Sequence, residues 1–442
     1  MSGRTIVVGA GLSGLSAAHA LARRGGDVLV LEASDRAGGV VRTQRRDGFL
    51  LELGPNTVRP SAAIWGLIQE LGLANEVLVA DPRSPRFIDF GGTLHAVPMS
   101  PGALLGTRLL STAGKLRLVA EPFHPAGADP EESIRDFAAR RLGAEVADRL
   151  VAPFVAGIFA GDAAKLSAAA AFPTLGRWER EHGSLFRGAM AARRDRKQEA
   201  VAGAPKGLLA LRQGLEALPR ALAAALGPAV RFGAPVRAVA PRGNGWIVQT
   251  VGDKISADRL ILAAPAHRVG ALISGFAPEA ALALAGIPHP PLAVLHLSWA
   301  EASLARPLRG FGHLVAESPN RRILGAVWSS SLFPGRAPAG QSLLTVFMGG
   351  SRDSAALALP DEELVATAAR DLASEGLVRG APQPLRVTRW SQAIPQYERG
   401  HSQRLAALTE TERRFPSLRF AGNYRGGVSV SDVIAGGMAA AR

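Results

Sequence analysis

The sequence predicts an α/β fold: a parallel-sheet domain assembled from separated pieces of chain, a second domain around a mixed sheet, and a helical third part. Three observations predict it. Near the N-terminus a β-branched run passes straight into closely spaced glycines, "TIVVGAGLSG" from Thr5 to Gly14. Past the middle, "GPAVRFGAPVRAVAPRGNGWIVQTVGDKISADRLILAAP" alternates apolar and polar residues and breaks at Gly243–Gly245, a pattern of short strands ending in a buried one. Close to the C-terminus, "AGNYRGGVSVSDVIAGG" again reads as strand, glycine turn and helix. A chain of 442 residues with 47% apolar and 20% charged content buries a sizeable core and exceeds one typical domain.

The first element is the strand Thr5 to Val8. In "GAGLSG" Gly9 allows the tight turn, Gly11 lets backbone approach a pyrophosphate, and Gly14 lets the helix pack on the strand; Ala10, Leu12 and Ser13 complete the loop. From Leu12 the apolar spacing of "LSGLSAAHALARRGG" predicts a helix that stops at Gly25–Gly26. The second strand, "DVLVLE", ends in Glu32, 23 residues after Gly9, where a carboxylate can accept hydrogen bonds from a ribose. Strand, glycine loop, helix and acid at these offsets predict a Rossmann-type dinucleotide site, with phosphate held at the helix N-terminus.

After the acid comes "ASDRAGGVVRT", Ala33 to Thr43. It resembles the E-x-x-x-R-x-G-G-R segment of flavin amine oxidases and related flavoproteins at Arg36, Gly38, Gly39 and Arg42. The resemblance implies that the cofactor is FAD, with Ala33 and Val40 beside it. The next piece, "LELGPNTVRP", is similar to the family's second flavin-lining turn at Gly54, Pro55, Asn56 and Thr57; a nicotinamide dehydrogenase has no use for such a pair. By the same resemblance Val236 lies near the adenine. Val428, Ser429 and Val430 match the start of the C-terminal helix that faces the flavin ring, so that tail is glycine-rich because backbone comes close to the cofactor. The helix N-terminus there favours negative charge.

Further segments narrow the family. "GIFAGDAAKLSAAAAFP", "GFGHLVAES", "WSQAIPQYERGH" and the C-terminal stretch resemble the oxygen-dependent protoporphyrinogen oxidase family, which includes bacterial coproporphyrinogen oxidases. The likeness runs in order over most of the chain. It implies six-electron oxidation of protoporphyrinogen IX to protoporphyrin IX with O2 as acceptor, by flavin-centred chemistry without a catalytic dyad or triad. On this resemblance Arg86 pairs with a substrate carboxylate, Leu314 and Phe347 sandwich the macrocycle, Phe311 and Gly312 shape the pocket, and Trp390 joins the flavin site. The family often carries Met where Phe347 stands, and Met348 is its neighbour. Coproporphyrinogen oxidation is the nearest alternative reading. A flavin amine oxidase or carotenoid desaturase, or a non-catalytic scaffold, are the alternatives of other classes; two tyrosines in the chain argue against an aromatic amine cage.

Composition sets exclusions. No cysteine is present, so disulfides, thiolate nucleophiles and cysteine-ligated metals are excluded. The nine histidines show no ligand spacing and no metal is expected; His313 reads as structural rather than as a general base. Lys plus Arg is 51 against 37 for Asp plus Glu, a balance of +14, which suits an anionic surface or an acidic ligand. No nucleic-acid module accompanies that charge.

The expected organisation has three parts. A discontinuous FAD-binding domain takes residues 1–79, 207–271 and 400–442, its middle piece opening with "LLALRQGLEALPRALAAAL" as a helix. A substrate domain takes 80–95 and 272–399. A helical part, 96–206, contains "PMSPGALLGTRLLSTAGKLRLVAEPF", whose apolar residues mix with Arg108, Lys115 and Arg117 as in a helix lying on a membrane surface; residues 192–207 read as a loop. No targeting segment or spanning helix is expected, which places the protein in the cytoplasm, peripheral at the inner face of the cell membrane. Oligomeric state is open, a homodimer being one option.

Overall fold

The computed structural model describes residues 3–127, 129–198, 203–318 and 320–442. Its central sheet has five strands in the order Leu418–Phe420, Arg259–Leu262, Thr5–Val8, Val28–Leu31 and Val230–Arg231, every neighbouring pair parallel. Residues 5–8 and 28–31 are buried throughout, as expected where both faces of a parallel sheet are covered. The helix Leu12–Ala22 buries nearly its whole circumference, because the C-terminal helix Val430–Ala440 and the helix Ala217–Leu226 pack on it.

That packing rests on missing side chains. A Cβ at Gly14 would lie 2.0 Å from the Gly9 carbonyl oxygen, and one at Gly437 would lie 2.2 Å from that of Ser13. Only hydrogen fits at either place, so the two ends of the chain meet backbone to backbone.

A small antiparallel sheet, Ala238–Arg242, Gly245–Gln249 and Lys254–Ala257, leads into Arg259–Leu262. The second large sheet has seven strands in the order Gln383–Trp390, Leu292–Ala300, Gln341–Gly349, Ile323–Val327, Gly312–Val315, Arg86–Phe90 and Thr93–Ala96. It is mixed: Gly312–Val315 runs parallel to Arg86–Phe90, and the other pairs are antiparallel. The helix Asp361–Ser374 buries Leu364, Ala368 and Leu372 against Leu295, Val346 and Met348. Ala156, from the helix Ala152–Phe159, packs with Val294, Leu324 and Phe347.

The intervening helices gather around one buried carboxylate. Glu121 accepts from Arg141 Nε at 3.0 Å, Ser184 Oγ at 2.6 Å and the Leu185 amide at 2.8 Å, so its charge is matched inside the protein.

Two expectations need correction. The segment expected to be one helix from residue 208 splits: Leu209–Leu211 is a strand paired with Val77–Val79, and the helix begins only at Ala217. Gly214, with φ +95°, makes the break. The loop expected at 192–207 is helical as far as Gln198, in the helix Leu185–Gln198, and residues 199–202 lie outside those described.

Gly437→Ala must push the C-terminal helix off the Ser13 carbonyl, an overpacking cost of about 1–3 kcal/mol. We expect a lower urea midpoint. Its neighbour Gly436→Ala, whose Cβ meets nothing within 4 Å, should hold or raise that midpoint through helix propensity.

Candidate functional site

Three backbone turns stack above the first strand. In the turn at residues 9–14, Gly9 has φ +105°, and a Cβ at Gly11 would meet nothing within 4 Å. Gly11 caps a helix that has no side-chain cap and no acidic residue in its first turn. Its leading amides therefore have neither an intrahelical acceptor nor a side-chain cap, with the positive end of the helix behind them.

The second turn docks on the first: Gly38 donates to the Ala10 carbonyl at 2.8 Å, and Gly11 and Gly38 form an isolated bridge. The third turn docks on the second, because a Cβ at Gly54 would lie 2.0 Å from the Val40 carbonyl oxygen. Pro55, Asn56 and Thr57 follow half-buried, and Gly39 and Val40 are exposed. This cradle of amides and bare glycine faces fits a dinucleotide pyrophosphate.

Glu32 stands at the end of the second strand. One carboxylate oxygen accepts the Ala10 amide at 2.7 Å, and the other accepts Ser34 N and Oγ at 2.9 and 2.8 Å. Its carbonyl accepts from Ala234 at 2.8 Å, which brings the segment carrying Val236 alongside; Ala33 is exposed beside it. Arg36 is turned onto its own loop, donating to the carbonyls of Ala37 at 3.0 Å and Gly39 at 2.5 Å, with Glu216 at 3.6 Å. It holds the second turn in shape.

The C-terminal helix closes the cradle. Ser429 caps it in a capping box with Asp432, and Ser431 Oγ donates to the Arg59 carbonyl at 2.5 Å. Val428 packs in the cluster of Phe159 and Tyr397, whereas Val430 packs with the core around the first helix. The Tyr397 hydroxyl donates to the Asn423 carbonyl at 2.6 Å and accepts the Gly427 amide at 3.1 Å, clamping the glycine turn.

On the mixed sheet, strand register gathers the expected substrate residues on one face. Arg86 lies opposite Gly312, Leu314 opposite Gly325, and Gly325 opposite Phe347. Leu314 and Phe347 thus flank a strand position that carries no side chain. A Cβ at Gly312 would lie 2.2 Å from the Ala326 carbonyl oxygen. The Arg86 guanidinium sits over the Phe311 ring at 5.2 Å, and among the described residues no carboxylate pairs with it. Burial, with Arg59 as the second cause, lowers the proton affinity of Arg86. Phe347 and Trp390 pack against the same cluster, and Trp390 Nε1 donates to the Leu53 carbonyl at 2.9 Å, tying this face to the third turn. His313, one residue along its strand, is buried: Trp328 Nε1 donates to its Nδ1 at 3.2 Å and Glu375 lies 3.0 Å from its Nε2.

Sequence reasoning missed Arg59 next to Arg86, Ser431, and the buried pair Glu52–Arg336 at 3.4 Å. Glu52 also accepts from Thr43 Oγ1 at 2.7 Å and the Leu215 amide at 2.9 Å. An acid inside the apolar run "FLLELG" was the available signal for it.

Known proteins give the comparison. The family model described as flavin containing amine oxidoreductase matches residues 12–442. The human protoporphyrinogen oxidase is 35% identical to this chain over 99% of its length and 98% of the relative. Protoporphyrinogen oxidase 1 of Arabidopsis thaliana chloroplasts is 34% identical over 98% of this chain and 86% of the relative. A crystal structure provisionally identified as a protoporphyrinogen oxidase, from Exiguobacterium sp. 255-15, superposes with a TM-score of 0.81 at 25% identity, covering 100% of this chain and 98% of the other.

Two buried histidines brace the site. His296 Nε2 meets the Glu52 carbonyl at 3.1 Å and His401 Nε2 the Tyr424 carbonyl at 3.1 Å; each Nδ1 is buried without a partner. Burial pushes both down to about 4. The unfolded chain binds these protons from pH ~6.5 and the native state does not, so stability is full above pH ~6.5 and is lost as pH falls toward 4. We expect urea midpoints to fall over that window, by roughly 3 kcal/mol per histidine, and His401→Gln to flatten the slope.

Proposed function

Because this chain belongs to the flavin containing amine oxidoreductase family, with FAD as its cofactor, we propose that it oxidises protoporphyrinogen IX to protoporphyrin IX, withdrawing six electrons in three two-electron rounds. Three O2 then become three hydrogen peroxide. The observation that carries this reading is Arg86, a half-buried cation with no carboxylate partner among the described residues, on the same sheet face as Leu314 and Phe347. An apolar wall with a single desolvated cation suits a flat greasy ring bearing carboxylate arms. The names of the full-length relatives point the same way.

FAD supplies the two-electron redox chemistry. The chain's residues supply position and a dry site. The bare amides at residues 11–14 would hold the pyrophosphate, Glu32 the ribose, and the turns at 38–40 and 54–57 the flat ring system, with Val236 near the adenine. Arg36 would keep the second turn in register, and Ser429 and Val430 would present the C-terminal helix end to the ring. Leu314 and Phe347 would press the macrocycle flat while Phe311, Gly312 and Trp390 shape the space around it. Residues 1–79, 207–271 and 400–442 are then the FAD-binding domain, 80–95 and 272–399 the substrate domain, and 96–206 the helical domain.

The helical part is the proposed membrane contact. No helix among the described residues is long and apolar enough to cross a bilayer. Met99, Leu116, Val119, Phe123 and Met190 nevertheless stand exposed there, Phe123 by 85%. Arg117 turns inward to the carbonyls of Arg140 and Arg141, whereas Arg108 of the expected basic set is exposed. Exposed apolar side chains among cations suit peripheral insertion into an anionic surface, here the inner face of the cell membrane.

Anaerobic mixing of the holoenzyme with protoporphyrinogen should bleach the flavin absorbance, and bleaching by a simple amine alone would refute the assignment. Arg86→Ala should raise KM about tenfold with a smaller change in kcat, the size of a lost charge-assisted hydrogen bond. In sedimentation with anionic vesicles, Phe123→Asp together with Leu116→Asp should release the protein; equal pelleting of variant and wild type would remove the membrane from the account.

A further inference from the structure

Arg86 does not stand alone. Arg59 is the neighbouring charge whose repulsion adds to burial in lowering the proton affinity of Arg86, and Arg59 is itself exposed. Among the described residues neither guanidinium has a carboxylate partner, whereas the buried arginines Arg141 and Arg336 face Glu121 and Glu52. Two like charges brought together without an anion destabilise each other, and backbone contacts hold in place the segments that carry them. Arg59 follows Val58, which exchanges backbone hydrogen bonds with Leu209 at 2.8 and 2.7 Å. The next residue on that strand, Ala210, is in the cluster that includes Phe311, and Arg86 lies over the Phe311 ring. From the other side, Ser431 anchors the Arg59 carbonyl to the C-terminal helix. Arg86 thus belongs to the mixed sheet and Arg59 to the flavin-side turn.

We propose that Arg59 and Arg86 form a two-point clamp for a ligand with two neighbouring carboxylates, one taken by the turn and one by the sheet. The clamp rests on the substrate reading above and deepens it. The two propionates of protoporphyrinogen IX sit on adjacent pyrroles, so both can be held along one edge of the ring. A single anchor leaves the macrocycle free to rotate in its plane. Two anchors fix that rotation, and with it which edge of the ring is presented to the interior. Guanidinium suits the task, since its planar fork takes a carboxylate through two parallel donors.

The test is equilibrium binding to the holoenzyme of protoporphyrin, which carries both carboxylates, and of its dimethyl ester, which carries none, followed by porphyrin fluorescence. Wild type should prefer the diacid by about a hundredfold, roughly tenfold per anchor. Arg59→Ala should weaken the diacid about tenfold and leave the ester unchanged, and Arg59→Gln should repeat the result if the alanine variant loses its flavin. Arg86→Ala should match it, and the double variant should bind acid and ester alike. Unchanged diacid affinity in both Arg59 variants overturns the clamp, as does an equal loss for diacid and ester, which marks a structural role. Oxidation of protoporphyrinogen that is indifferent to Arg59 would leave the function standing without the clamp. A diacid preference that needs Arg59, in a protein that fails to oxidise the porphyrinogen, would leave the clamp standing without the function.

Discussion

Backbone meeting backbone, with no side chain between, is the constraint on which the rest of the structure depends. Gly14 lies against the Gly9 carbonyl, Gly54 against that of Val40 and Gly437 against that of Ser13. Each contact joins a different pair of segments, so together they stack three turns and two helices into a single cradle. The first helix contributes its uncapped N-terminal amides to that cradle. A side chain at any of these positions would separate the layers and move the amides away from whatever they hold. The two chain ends therefore serve one site, although 423 positions separate Gly14 from Gly437.

This constraint also explains what was legible in the sequence. A requirement for bare backbone is written in single residues, so the glycine turns, the first helix and the C-terminal turn could be read directly. Alternation gave the small antiparallel sheet for a similar reason, since each strand carries its own pattern. Residues 208–211, "LLAL", fit helix and strand equally well; pairing with Val77–Val79 decides the matter, and that pairing lies in another part of the chain. The polar run in "ARRDRKQ" looked like a loop by polarity, yet it consists largely of good helix formers and continues its helix to Gln198. Arg59 beside Arg86, and Glu52 beside Arg336, are invisible along the chain because neither pair is local.

Register sends Phe347 and Met348 to opposite faces of their strand. In a strand a slip of one residue exchanges the faces. Phe347 pairs with Gly325 and so shares a face with Leu314, whereas Met348 is fully buried in the cluster beneath the helix Asp361–Ser374. Met348 is thus a core residue, and Phe347 is the one of the two that shares a face with Leu314. Gly325 has a part in the same arrangement: with φ +153° it sits so close to the neighbouring strand that a Cβ there would lie 2.4 Å from the His313 carbonyl oxygen.

Charge is distributed by a similar division of labour. Where an arginine stabilises the fold, its counter-charge is internal: Arg141 has Glu121, Arg321 has Asp89, and Arg336 has Glu52. At Arg86 and Arg59 no carboxylate partner is present among the described residues. Half-burying the Arg86 cation costs free energy that an internal carboxylate would offset, so its lack of one points to an anion supplied by binding, whereas Arg59 is exposed and bears little of that cost. On the proposed substrate reading the apolar wall and the unpaired cations are complementary: the wall would accept a ring of similar size, and the cations would select one with acidic arms along one edge. Affinity for the ring would then come from the first and orientation from the second, and orientation is what repeated oxidation of a near-symmetric macrocycle demands.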